Sequence, residues 1–226
     1  MRDRLRGADR AGRGAFTLIE LAIVTVVVAV LVTLILPAVT RPGRMRARGI
    51  PCMNNLKLIG LGFRLFANDN EDKLPWGVST NQGGSREFLE TPFSAFRHFQ
   101  VISNELSTPW RLLCFRDRQR NGATNWSSFQ GNKALSYFVG LDASGSNRSS
   151  ILSGDRFLGS THPPTNGLLT LDVLSLLWWT NGAHGGGGNL VKSDLSVEHV
   201  ESRGLLQALR NSGLATNRLA LPLIGP

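Results

Sequence analysis

The chain has 226 residues, of which 42% are hydrophobic and 18% charged. That length holds one ordinary domain plus an appended segment, and the composition excludes a wholly disordered chain. The net charge is +9, from 25 Lys and Arg against 16 Asp and Glu. Such an excess suits nucleic acid or anionic lipid, but solvated surface arginine accounts for it more simply.

Residues 1–15, MRDRLRGADRAGRGA, hold five Arg and two Asp and no apolar run. FTLIELAIVTVVVAVLVTLILPAV follows, uncharged from Leu21 to Leu36. Roughly 20 apolar residues make about 30 Å of helix, enough to cross a bilayer. Its many Val and Thr residues favour strands in water, but an isolated strand in lipid leaves its backbone unsatisfied, so a helix is expected. A secretory signal has a shorter core, about 7–15 residues, with a small-x-small site behind it; Pro37-Ala38-Val39 is a poor site. Five leader Arg against Arg41, Arg44, Arg46 and Arg48 beyond the span give a slight bias toward a cytoplasmic N-terminus.

Glu20 stands at the mouth of the apolar run, where a carboxylate is costly. Two readings fit it. Thr17-x-x-Glu20 is a capping-box pattern; alternatively, Glu20 meets a positive charge within the membrane, such as a new α-amino group at Phe16 after removal of the leader.

Ala15-Phe16-Thr17-Leu18-Ile19-Glu20, after a basic leader and before an apolar helix, resembles the processing site of type IV prepilins and type II secretion pseudopilins. The resemblance implies cleavage between Ala15 and Phe16 by a prepilin peptidase, N-methylation of Phe16, and Glu20 as the acid that docks each subunit. It also implies a helix kink at Pro37. Ala15 departs from the family pattern, where Gly is commonest before the cut.

In CMNNLKLIGLGFRLFA, residues 52–67, the residues Cys52, Leu56, Ile59, Phe63 and Phe66 share one helical face. The spacing predicts a lower spine packed on a globular domain, with a kink or break near 47–51 caused by Gly49 and Pro51. Asn68-Asp69-Asn70-Glu71-Asp72 offers oxygen ligands but lacks the Gly and closing Glu of a calcium loop; a polar helix-ending loop is expected. Residues 76–130 show no clean periodicity. Leu112–Phe115 and Ala134–Leu141 read as buried strands, with Ser144–Asn147 a turn. Ile151–Arg156 precedes a further loop. Leu168–Trp179 reads as a central strand, with Trp178-Trp179 in the core. Asn189–Lys192 and Ser196–Val200 flank Ser193-Asp194-Leu195 as a hairpin. Ser202 is expected to cap a helix from about Arg203 to Asn211, ended by Gly213. Thr216–Pro226 reads as a tail.

Two cysteines, Cys52 and Cys114, can close one disulfide in an exported domain; two unrelated buried thiols is the alternative. With no CxxC or Cys/His cluster along the sequence, no metal site is expected. Gly185–Gly188 lacks a phosphate-loop ending. His98, His162 and His199 show no ligand spacing, and neither GxSxG nor HExxH occurs. No enzyme activity and no cofactor are expected.

His184, nine intervening residues and Asp194, in HGGGGNLVKSDLSVEHV, resemble the H-X9-DG pseudopilin-like proteins of planctomycetes and verrucomicrobia. Cys52–Lys57, Tyr137–Gly140 and Leu152–Arg156 carry the same resemblance. It implies structural rather than catalytic roles for His184 and Asp194. Leu195 stands where the group has Gly, and an Asp-Gly turn needs φ > 0, which Leu resists.

The expectation for the chain is an α+β fold: a long N-terminal helix, transmembrane and then periplasmic, packed on a small antiparallel β-sheet domain. Residues 1–15 are a cytoplasmic leader, 16–39 the membrane helix, 40–67 its periplasmic extension, and 68–226 a β-rich pilin-like domain. As a structural subunit it would be processed by prepilin peptidase in the inner membrane and join like subunits in a pilus or a secretion pseudopilus. The alternative is a minor pilin whose basic domain binds DNA or an anionic surface polymer, although no basic stripe with interleaved aromatics is evident.

Overall fold

The computed structural model describes residues 17–40, 49–172 and 174–225. The chain divides into two compact units, residues 1–47 and 48–226. The cleavage position Ala15–Phe16, the leader and the arginines at 41–48 lie outside the described residues.

The first unit contains helix α1, Leu18–Thr40, 23 residues long. Its apolar side chains are exposed from Leu18 to Leu34, the last position at which they are described. The helix backbone runs through Pro37 to Thr40. Among the described residues, no helix is long and apolar enough to cross a membrane.

The second unit is α+β. Helix α2, Ile50–Asp69, opens with Pro51 in its first turn, where a missing N–H costs nothing. The expected apolar face is there: Cys52, Leu56, Ile59, Phe63 and Phe66 are buried, each large side chain contributing about 2 kcal/mol. Short 3-10 turns and two brief helices, α3 (Ala95–Gln100) and α4 (Ser103–Leu106), follow. The expected strand at Leu112–Phe115 is absent: Pro109–Leu112 is a 3-10 helix with Pro109 at its start, and Asn55 Nδ2 donates to the Leu113 carbonyl, securing the next stretch to α2 in place of a strand neighbour.

Eight strands come next: β1 Tyr137–Gly140, β2 Ile151–Asp155, β3 Leu158–Ser160, β4 Leu168–Asp172, β5 Leu177–Trp179, β6 Gly187–Lys192, β7 Val197–Glu201 and β8 Thr216–Ala220. Helix α5, Ser202–Asn211, lies between β7 and β8. Six strands form one sheet in the order β4-β8-β1-β2-β6-β7, and β3 pairs with β5 separately; all pairings are antiparallel. Both faces of the large sheet are covered. Tyr137, Val139, Leu152 and Val191 join the α2 core, while their neighbours Phe138, Ile151 and Leu190 join a second core with Leu177, Trp179, Leu205 and Leu209. This is the two-residue alternation of a pleated strand. Gly60 lets α2 approach β6, because a Cβ there would meet Val191 at 3.0 Å.

Four expectations need correction. The Leu168–Trp179 segment is two strands in different sheets, and β4 is an edge; Asp172, Ser175 and their mutual hydrogen bonds make the turn between them. Trp179 is core, but Trp178 is 40% exposed, as alternation along β5 requires. Ser202 is the first helical residue of α5, not its cap, and its Oγ accepts from the Trp179 N–H. The segment read as a tail contains β8, which pairs with both β4 and β1. The hairpin of β6 and β7 is as expected, and Leu195 in its turn has φ +67°.

Candidate functional site

At the start of α1, the Thr17 N–H and Oγ1–H both donate to Glu20 Oε2, each at 2.9 Å, and the Glu20 N–H reaches Thr17 Oγ1 at 3.3 Å. This is the reciprocal capping box. Pro37 lies in the last turns of the same helix.

The other sequence-selected residues separate into two groups. Asp194 lies in the β6–β7 turn, where its Oδ1 accepts from the Ser196 N–H at 2.8 Å and Oγ–H at 2.6 Å. His184 lies at the other end of β6 and joins the two cysteines. Cys52 Sγ and Cys114 Sγ are 2.6 Å apart, and Cys114 Sγ is 3.3 Å from His184 Nε2. The expectation of no Cys/His cluster is therefore corrected in space: α2, the stretch after the 3-10 helix and the turn before β6 meet at one point. The three donor atoms lie within 4.8 Å of one another and form, among the described residues, the group that could hold a metal ion.

Asp155, at the end of β2, approaches the same ring nitrogen of His184, with Oδ2 3.4 Å from Nε2, and Asn189 Nδ2 lies 3.1 Å from that nitrogen. The same oxygen accepts from the Asn189 N–H at 2.7 Å and Nδ2 at 2.8 Å. Oδ1 is buried without a partner. Asn189 sits opposite His199 in the β6–β7 ladder, and its Oδ1 is 3.0 Å from His199 Nδ1. Tyr137, buried on β1, pairs with Asp155 in the β1–β2 register. Sequence reading missed Asp155 and Asn189 as site members; the signal was present, since both fall within the stretches that carried the family resemblance.

Burial dominates the electrostatics here. It pushes the Asp155 carboxyl up to about 7, against the pull of His184 and the Asn189 hydrogen bonds. Burial disfavours the His184 imidazolium, yet the neighbouring Cys52 and Asp155 outweigh it and raise the group. The sulfur contact lets one thiol ionise and holds the proton of the other: Cys52 is lowered by the bond from Cys114, and Cys114 is raised. Burial lowers His199 and raises Tyr137.

Beside this cluster Arg156 Nε and Nη2 donate to Asp117 Oδ2 and Oδ1 at 2.7 and 3.1 Å, and Ser136 Oγ–H adds a third bond at 2.9 Å. In the acidic 69–72 segment Asp72 pairs with Arg64 and Glu71 with Lys73.

No family model, curated protein or solved structure matches this chain.

Proposed function

We propose that the protein is a structural pilin-like or pseudopilin-like subunit. A prepilin peptidase cuts between Ala15 and Phe16, Phe16 is methylated, and the chain rests in the bacterial inner membrane with its β-rich domain in the periplasm. Extraction into a bundle of like helices then builds a filament. The observation that carries this reading is the surface of α1, which has one charge, Glu20, at its start and apolar side chains exposed along its described length. A helix apolar on every side needs lipid or other apolar helices around it. The N-terminal motif and the packing of α2 on an antiparallel sheet agree with the same role. In the monomer Glu20 caps its own helix; in a bundle it would exchange Thr17 for the α-amino group of a neighbouring subunit.

The test is mass spectrometry of the membrane-extracted protein. A mature start at Phe16 carrying one methyl group is expected. Retention of Met1–Ala15, or a start near residue 40, would remove this reading. Glu20→Ala should abolish assembly while leaving cleavage intact.

An open groove of about 710 Å³ lined by Phe115, Arg116, Arg118, Gln119, Phe157 and Asn181 favours one variant of the proposal, a minor subunit that takes an anionic polymer. Binding by the full chain that weakens steeply with salt and falls on Arg116→Ala and Arg118→Ala would support it; salt-independent or absent binding would not.

A further inference from the structure

The proposed subunit role makes no use of the buried cluster of two sulfurs and a histidine. Two chemistries suit Cys52, Cys114 and His184: a shared metal ion or thiol–disulfide exchange. Two sulfurs on one tetrahedral zinc stand about 3.8 Å apart, given a Zn–S bond of about 2.3 Å. Here they are in closer contact, at 2.6 Å. We propose that Cys52 and Cys114 form a disulfide by exchange with a partner disulfide, with Cys52 taking up the partner and His184, with Asp155 beside the same ring nitrogen, removing the Cys114 proton in the closing step.

The two cysteines differ in position, and that assigns their parts. Cys52 lies in the first turn of α2, where helices fray most readily, so local opening brings this buried sulfur to the exchange partner. Cys114 stays beside the histidine, its sulfur 3.3 Å from Nε2. With Nε2 as the acceptor, the ring proton sits on Nδ1. In the first step the Cys52 thiolate attacks one sulfur of the partner disulfide, forms a mixed disulfide and expels one partner thiolate. In the second, Cys114 gives its proton to Nε2, its sulfur attacks Cys52 Sγ, and the second partner thiolate leaves. The sum converts one protein thiolate, one protein thiol and one partner disulfide into one protein disulfide and two partner thiolates, with the Cys114 proton left on His184. The imidazolium formed faces Asp155 Oδ2 at 3.4 Å, a carboxylate fixed by Asn189. The other groups around the ring are the Asn189 amide, whose Nδ2 lies 3.1 Å from Nε2, His199, 5.8 Å away between ring centres, and Arg116, whose charge opposes protonation.

The product is a covalent clamp between the spine helix and the domain it packs on. Because the second step needs a base and the first does not, the mechanism has its own signature. The full chain in detergent, denatured and alkylated without reductant, should take no alkyl group and weigh two hydrogens less than the reduced form. The reduced chain, treated with oxidised glutathione, should close quickly in the wild type. His184→Asn should slow the second step at least about tenfold and accumulate the glutathione adduct on Cys52; a residue needed only for packing would not shift this partition. Asp155→Asn should move the pH dependence of closure without abolishing it. Two results would overturn the proposal: free thiols in the native chain together with thiolate-to-cobalt absorption on adding Co²⁺, which would make the site a metal site, or closure of His184→Asn at the wild-type rate without adduct.

Discussion

His184 and Asp194 occupy opposite ends of β6: the histidine packs against Cys114 on one side of the strand, and the aspartate holds the turn on the other through Ser196. Their fixed spacing is the length of a strand plus its flanks, not a ligand pair. Asp194→Ala should therefore cost only about 1 kcal/mol, the ordinary worth of a turn hydrogen bond, and leave thiol exchange unchanged. Urea unfolding and the glutathione assay on the same variant check both halves.

Leu195 shows that the turn wants a residue it does not have. Its φ of +67° costs a non-glycine residue about 1–2 kcal/mol, while its side chain lies near Gly60. Leu195→Gly relieves the backbone and loses the packing; Leu195→Ala loses the packing and keeps the strain. The glycine variant should be the more stable of the two by about 1 kcal/mol in denaturant midpoints, the reverse of the order expected in a strand or helix.

Asp117 is wholly buried at its side chain and is gripped by Arg156 and Ser136. Asp117→Ala leaves an arginine uncompensated and should destabilise by about 3–5 kcal/mol. The double change Asp117→Leu with Arg156→Met should cost clearly less than the sum of the singles. Equal costs would mean that the pair is not coupled.

His98 supplies a pH dependence. Its ring is fully buried, with Nδ1 2.8 Å from Ser85 Oγ and Nε2 without a partner, and burial pushes it down to about 4. In the unfolded chain it titrates near 6.5. Between those values the unfolded state binds the proton and the native state does not. The contribution is thus intact above about pH 6.5 and is lost as pH falls toward 4, by about 3 kcal/mol. Asp155, raised by burial, slopes the other way, so wild type alone would blur the effect. Comparing wild type with His98→Phe isolates it: the stability gap should move in favour of the variant by about that amount between pH near 7 and pH near 4.

Closing the cysteine pair joins residues 62 positions apart, which the loop-entropy relation values at about 4 kcal/mol. Cys52→Ser and reduction of the wild type should lower stability similarly, and the variant should no longer respond to reductant. Thermal scans with and without a reducing agent decide this.

Local chemistry already settled much of this protein within its sequence. The apolar face of α2 was legible because five side chains recur at helical spacing, and the β6–β7 hairpin was legible because alternation is a period-two signal. The Thr17–Glu20 cap spans only four residues and needs no partner from elsewhere. What required the tertiary structure is everything joined across distance. β8 is short and polar enough to read as a tail, and only its place between β4 and β1 makes it a strand. Leu168–Trp179 looked like one element because apolar runs do not reveal which sheet each half joins. The Cys52–Cys114–His184–Asp155 cluster draws on four separate elements, and no spacing along the chain records a meeting that is created when a helix is laid across a folded sheet.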